Sequence, residues 1–429
     1  MPNDDAKLKA GAGTGLRLLI LAPDAPRPAT NGLRMRMSST LTALAAEGHR
    51  LVLLAAGAPP ETDFPECEAA EYVPFNPAPA SSARAWCGRA RAALNGNAYA
   101  FERWRDRAWQ ARITSWLRQK KFDAIWCESP YPAMNLPWPP PLPLVVNAHN
   151  LEYRIWQRYR ATMPTAWRSA YAAREARALH RREMQIYRQA ALVLTCSRQE
   201  AEMLRRELGD AAAIAVAPNV ISIPEPAAMA KARPWVLYSG GMDWLPNRDA
   251  VEFFGTQIWP RVLREAPEAE WIIAGREGPA RWQHRWRQLS RTRFTGTQAS
   301  LAPWLAQAAV AVVPLRIGAG TRFKILEAAA WERAIVSTRL GAEGLEFQPE
   351  QELELADAPQ EFAAKTVALL RDPLRRAALG RAAQRRLRAN YSPRQLRHAL
   401  AQALARLPWG EGGVHGVVLS AGGLHAVGT

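Results

Sequence analysis

At 429 residues, 48% of them apolar, the chain is long enough for two hydrophobic cores, and its composition excludes a generally disordered polypeptide. Its four cysteines, Cys67, Cys87, Cys127 and Cys196, share no CxxC or CxxH spacing, which argues against a zinc site or a disulfide framework and fits a reducing compartment. The net charge of +17 suits nucleic acid, an anionic membrane face or simply solvated arginine-rich helices, and decides nothing alone.

In chain order, the acidic N-terminus (Asp4, Asp5) lacks a signal-peptide pattern, and no apolar run approaches the ~20 residues of a membrane span. A soluble, cytoplasmic protein is the expectation. Gly11 to Gly15 precedes a strand rather than following one, so it reads as a flexible leader and not a dinucleotide loop. Leu16 to Leu21 predicts a strand, followed by Pro23, Pro26, Pro28, Asn31 and Gly32 and then a helical pattern through Leu41, Leu44 and Ala45, and Leu51 to Ala55 predicts the next strand. The proline-rich residues 57 to 80 read as a surface crossing.

Further strands are predicted at Phe122 to Cys127, Leu144 to Asn147, Leu192 to Cys196 and Ile214 to Ala217, with one long basic helical stretch from Leu151 to Gln189. Ser197 reads as the cap of the helix that follows. Residues 81 to 208 hold 22 Lys+Arg against 10 Asp+Glu, so +12 of the charge lies there, interleaved with Trp86, Trp104, Trp109, Trp116, Trp156 and Trp167. Ile221 to Arg233, with two prolines and no periodicity, reads as a linker.

The second half repeats the pattern. Strand Trp235 to Tyr238 leads to Gly240-Gly241, and Asn247 reads as the N-cap of a helix running to about Trp259. Strands are predicted at Trp271 to Ala274 and Arg293 to Thr295, and a helix at Ala299 to Ala308. The most informative stretch follows, AVAVVPLRIGAGTRFKILEAAAWERAIVSTRLGAEGL from Ala309 to Leu345. A buried-strand pattern runs into the loop Gly318-Ala-Gly320-Thr321-Arg322, and a helix opens with Phe323 and Lys324. Strand, glycine loop and helix N-terminus form a phosphate cradle. Helices from Pro359 to about Leu407 close the fold, and residues 409 to 429 read as a disordered tail.

These pieces resemble the retaining, GT-B-fold glycosyltransferases of family 4 across most of residues 16 to 407, and the bacterial exopolysaccharide subgroup in particular. The resemblance rests on GGMDWLPN at 240 to 247, IIAG at 272 to 275, FTG at 294 to 296, PLRIGAGTRFKILEAAA and VSTRLGAEGL. In the first half, Asn31-Gly32 stands where relatives carry a Gly-Gly loop, and Asn147-Ala-His149-Asn-Leu-Glu152 resembles their HNxE segment. The resemblance implies an α/β fold of two doubly wound Rossmann-like domains facing a cleft. Residues 16–220 would form the acceptor-side domain, 221–233 a linker, 234–390 the donor domain, and 391–408 a C-terminal helix packing back on the first domain.

Lys324 is the sole lysine between Lys231 and Lys365 in a chain with 49 arginines, and a compact ammonium beside a glycine loop can follow charge growing on a departing diphosphate. Glu327 lies on the same helix face and, by the family pattern, would accept ribose hydroxyls. Gly240, Gly241, Gly318, Gly320, Thr321 and Arg322 complete the expected donor contacts. His149, with Asn31 and Gly32, is expected on the acceptor and sugar side, with Lys324 and His149 as the catalytic pair. Family members often carry a second glutamate where this chain has Ala319, and that departure favours transfer assisted by the leaving group over a protein nucleophile.

The expected partners are a UDP- or GDP-sugar, a saccharide or polyprenyl-diphosphate-linked acceptor, and peripheral contact with the anionic inner membrane; no cofactor, obligatory metal or nucleic acid is expected. A nucleotide-sugar epimerase of the same fold, a relative that binds donor without transfer, and a basic nucleic-acid-binding protein are the alternatives.

Overall fold

The computed structural model describes residues 15–60, 64–75, 82–163, 165–224, 232–276, 278, 286 and 288–407. Nearly all of the glycine leader, residues 225–231 of the linker and the whole 409–429 tail lie outside them.

The first sheet is wholly parallel, with order β3-β2-β1-β4-β5-β6-β7. Its strands are β1 (Arg17–Ala22), β2 (Arg50–Ala56), β3 (Cys67–Val73), β4 (Ala124–Glu128), β5 (Leu144–Asn147), β6 (Leu192–Thr195) and β7 (Ile214–Val216). Runs such as RLLILA and RLVLLAA are apolar without alternation because helices cover both faces. Leu19 and Leu21 enter one core layer, and Leu18 and Ile20 the other. The covering helices are α1 (Gly32–Ala46), α2 (Ala83–Leu94), α3 (Tyr99–Glu102), α4 (Arg107–Gln119), α5 (Glu152–Ala161), α6 (Ala166–Gln189) and α7 (Arg198–Leu208).

The second sheet, also parallel, has order β10-β9-β8-β11-β12-β13. It comprises β8 (Trp235–Ser239), β9 (Glu270–Ala274), β10 (Thr292–Phe294), β11 (Val310–Val313), β12 (Ala334–Ser337) and β13 (Glu354–Leu355). Around it lie α8 (Leu245–Phe253), a π-turn at Phe254–Ile258, α9 (Trp259–Glu265), α10 (Ala302–Gln307), α11 (Phe323–Ala330), α12 (Pro359–Arg371) and α13 (Pro373–Asn390). The last helix, α14 (Pro393–Ala405), returns to the first domain: Leu396, Leu400, Ala403 and Leu404 join its core, and Arg397 pairs with Glu47 at 2.8 Å. In both sheets the chain reverses its direction of winding after three strands, at β1/β4 and at β8/β11. Ligands of open α/β sheets bind outside the carboxyl ends of the strands at such switch points.

Several sequence expectations need correction. The stretch 57 to 80 is not merely a crossing, since β3 pairs with β2 there; its half-exposed edge position and its glutamates, Glu68 and Glu71, hide it. The basic helical stretch from Leu151 to Gln189 is two helices, the first ending at Ala161 and the second beginning at Ala166. Trp104, Trp109 and Trp116 are core residues and Trp156 packs half-buried against the same core, leaving Trp86 and Trp167 of the interleaved set at 58% and 61% exposure. Asn247 is not an N-cap: Trp244 holds that position, and the asparagine is buried in the first turn.

Candidate active site

The segment after β11 reaches the carboxyl edge of the second sheet at its switch point. Gly318 (φ +145°) and Gly320 (φ +74°) bend it into conformations that side chains resist. Arg322 ends the loop and is buried at 5% exposure; its Nη1 donates to the carbonyls of Ala319 and Gly320, bracing the loop from within. Its Nε and Nη2 have no hydrogen-bond partner among the described residues, and burial lowers its pKa to about 10. Thr321 is also engaged, its hydroxyl accepting from Asn219 Nδ2 at 2.8 Å.

Lys324 lies in the first turn of α11. Its Nζ donates to Tyr238 Oη at 3.0 Å and Asn247 Oδ1 at 3.1 Å, and it sits 4.1 Å from the centre of the Tyr238 ring. Burial first, then Arg322, lowers its pKa to about 7, with Glu327 opposing. Burial likewise raises Glu327 to about 7, with Lys324 opposing. Lys324 in the first turn and Glu327 one turn on thus both titrate near neutrality, each opposing the other's shift. Beside them, Gly240 and Gly241 follow β8, and Gly241 O accepts from Asn247 Nδ2 at 2.8 Å.

The facing wall comes from the first sheet. Glu128 ends β4 fully buried, and its Oε2 lies 2.6 Å from His149 Nε2. Trp126 Nε1 (2.8 Å) and Asn147 Nδ2 (3.0 Å) also donate to this carboxylate. Asn147 Oδ1 in turn accepts from Arg36 Nη2 at 2.5 Å, and Arg36 Nη1 reaches Ala217 O and Asn219 Oδ1, both at 2.9 Å. Asn219 then bonds Thr321, so a buried polar chain runs from the Glu128–His149 couple in one domain to the Gly318–Arg322 loop of the other. Burial lowers the His149 pKa against the opposing pull of Glu128, and His149 Nδ1 has no partner among the described residues.

The two walls touch. A Cβ on Gly320 would come 2.2 Å from the end of the Asn150 amide and 2.9 Å from His149 O; one on Gly32 would meet the Phe323 ring at 3.1 Å. In this closed arrangement Phe323 fills the space over Gly32, and Asn31 is spent capping α1, its side chain accepting from Arg34 N at 2.9 Å. A cavity of about 10 Å³, room for roughly one water, remains between Ser197, Glu200, Ala319, Gly320 and Gly344.

The structure thus brings His149, Gly320, Thr321 and Arg322 together at the domain junction, with Lys324 and Glu327 continuing along α11. Glu128, Arg36, Asn219 and Tyr238 escaped sequence reasoning, and Asn247 was read only as a helix cap. A carboxylate closing a buried strand at the switch point was a usable signal for Glu128. Arg36 had none, since one arginine among 49 carries no information. Among the described residues, no group of three or more His, Cys, Asp or Glu could hold a metal ion, and no helix is long and apolar enough to cross a membrane.

Two family models match the chain, a "Glycosyl transferase 4-like domain" over residues 31–220 and "Glycosyl transferases group 1" over residues 233–372. No curated protein matches it. Among solved structures, it is similar to sucrose-phosphate synthase from Thermosynechococcus elongatus, with a TM-score of 0.68 and 18% identity over 91% of this chain and 99% of that one. It is also similar to Anabaena HepE in complex with UDP and glucose (TM-score 0.62, 14% identity, 91% and 100% covered). A glycosyltransferase from Rickettsia africae gives a TM-score of 0.60 at 10% identity, with 91% and 98% covered. At such identities the structural likeness carries the fold.

Proposed function

The chain belongs to the family 4 glycosyltransferases of GT-B fold, and from that membership we propose a retaining, metal-independent hexosyltransferase of bacterial surface or exopolysaccharide synthesis. Its donor is a UDP- or GDP-sugar and its acceptor a saccharide or polyprenyl-diphosphate-linked saccharide. The observation that carries the reading is Lys324, a half-buried ammonium at the start of α11, on the carboxyl edge of the donor sheet.

In this account the diphosphate binds against Lys324 and the amides at the start of α11, where the helix dipole favours negative charge. Glu327, once ionised, accepts the ribose hydroxyls. The bond from the anomeric carbon to the β-phosphate oxygen breaks as Lys324 balances the charge gathering on that oxygen. The acceptor hydroxyl attacks from the same face, its proton passing to the departing phosphate oxygen, so the configuration is kept. Ala319 supplies no carboxylate for a covalent intermediate, which supports this route. His149, held by Glu128, orients a hydroxyl of the sugar or acceptor. The HepE structure, which contains UDP and glucose, supports UDP among the candidate bases.

Peripheral membrane contact, at the cytoplasmic face, completes the proposal. Trp86 and Leu94 of α2 (58% and 87% exposed) and Trp167 of α6 project outward, with Arg89 and Arg168 stacked on the two indoles. Aromatic and cationic groups together suit an anionic leaflet. Co-sedimentation with anionic but not neutral liposomes is expected, and equal behaviour with both overturns this part. The transfer reaction is tested by supplying UDP- and GDP-sugars with saccharide acceptors and following nucleoside diphosphate release. Proton NMR of the product should give the donor's anomeric configuration; inversion contradicts the mechanism.

A further inference from the structure

Asn247 reads in the sequence as a helix cap, and the structure gives its side chain other work. The residue is 5% exposed, and both ends of its amide are committed. Nδ2 donates to Gly241 O at 2.8 Å, which fixes which way the amide points. Oδ1 accepts from Lys324 Nζ at 3.1 Å and from Tyr238 Oη at 2.8 Å. Tyr238 Oη accepts from Lys324 in turn at 3.0 Å, closing a three-membered ring of hydrogen bonds. Gly240 (φ +152°) leaves room for this amide, since a Cβ there would come 2.7 Å from Nδ2.

The chemistry of the two acceptors is informative. A carboxylate at either position would orient the lysine equally well but would neutralise it. An amide oxygen and a phenol orient the ammonium by dipoles and leave its full charge for an incoming anion. The amide also ties the loop after β8 to the lysine of α11, two elements that meet at the switch point of the sheet.

We propose that Asn247, with Tyr238, is the positioning residue for Lys324, holding the ammonium through neutral acceptors and aimed for the diphosphate of the donor. This rests on the assignment of Lys324 to the donor diphosphate. The charged and titratable groups that face the assembly are Arg322 and Glu327 around α11, and Asp249 of α8, itself paired with Arg316 at 2.6 Å.

The test measures UDP, GDP and ADP binding by calorimetry from pH 6 to 9 for the wild type, Lys324→Ala, Asn247→Asp and Tyr238→Phe. Tyr238→Phe keeps the buried ring and removes one hydroxyl, so it guards against a folding failure of Asn247→Asp. Hydrogen bonds to charged groups predict a roughly tenfold or greater loss of nucleotide affinity in both variants. Asn247→Asp additionally moves the alkaline fall in affinity to higher pH, because a neighbouring carboxylate stabilises the ammonium. A role confined to packing would not move that midpoint. Loss of binding in Lys324→Ala, with Tyr238→Phe and Asn247→Asp matching the wild type in affinity and midpoint, overturns this inference and leaves the donor site standing. No binding of any nucleotide by the wild type overturns the donor site, and the inference with it.

Discussion

Arg158 of α5 and Glu343 of the glycine loop Gly341–Gly344, which follows β12, meet across the domain boundary, guanidinium to carboxylate, with Nη1 and Nη2 at 2.6 and 2.7 Å from the two oxygens. The same Nη1 donates to the carbonyl of Gly318, so one first-domain side chain grips both glycine loops of the second. Gln199 adds a bond to Glu343 at 3.2 Å. The closed cleft is therefore held by a two-pronged, partly buried ion pair placed on the loops that line it.

Removing Arg158 is expected to loosen closure while leaving both domains folded. Bonds to charged groups are worth roughly 1.5–3 kcal/mol, so Arg158→Ala should lower kcat/KM about tenfold or more and enlarge the radius of gyration in small-angle scattering. Burial alone would raise the Glu343 pKa, but Arg158, Arg154 and Arg322 outweigh it and hold the carboxyl below its ordinary value. A depressed carboxylate stabilises the closed form above its ordinary pKa, and that contribution is lost as pH falls through the lowered value. Scattering at pH 7 and in progressively stronger acid checks the direction.

The junction glycines should respond in a graded way. Gly320→Ala forces a Cβ into backbone and amide atoms at 2.2 to 2.9 Å from a positive φ, whereas Gly32→Ala only presses an aromatic edge at 3.1 Å. Strain of about 1–3 kcal/mol for Gly320→Ala, and clearly less for Gly32→Ala, is expected in denaturant melts, with activity falling in the same order. Equal effects would mean that the domains do not meet at Gly320 in solution.

Glu128→Gln separates orientation from donor binding. His149 would lose its carboxylate partner, and its already lowered pKa would fall further. A kcat lower by roughly ten- to a hundredfold, with nucleotide affinity nearly unchanged, is expected from losing a hydrogen bond to a charged group. Equal loss of nucleotide affinity would move His149 to the donor side.

Nucleotide affinity should be bell-shaped in pH around 7. Glu327, raised to about 7, must ionise to accept hydroxyls, so affinity climbs on the acid side. Lys324, lowered to about 7, must stay protonated, so affinity falls on the alkaline side with net proton uptake on binding. Lys324→Arg should flatten the alkaline limb and Glu327→Gln the acid one. Calorimetry in buffers of different ionisation enthalpy reads the proton uptake directly.

Much of the fold was legible because parallel strands covered on both faces are written as unbroken apolar runs, as in Leu144 to Asn147 and Trp271 to Ala274. β3 was not, because an edge strand with Glu68 and Glu71 outward looks like loop. The glycine loop and Lys324 were visible because glycine and a rare lysine each carry local meaning. The polar chain from Glu128 through Asn147, Arg36 and Asn219 to Thr321 was not, because its members lie far apart in sequence and meet only on folding. Asn247 was visible and misread: a Pro-Asn pair at a helix start has a local explanation, and its longer-range partner Lys324 lies 77 residues away.

The central claim is that the α11 loop binds the diphosphate of a nucleotide sugar through Lys324. A thermal-shift panel of UDP, GDP, ADP and their sugars on the wild type and Lys324→Ala tests it most directly. Ligand at a hundred times its dissociation constant adds roughly 2.7 kcal/mol of stability, so one base should stand out and its shift should vanish in the variant. An equal shift in Lys324→Ala, or none with any nucleotide in the wild type, would contradict the account.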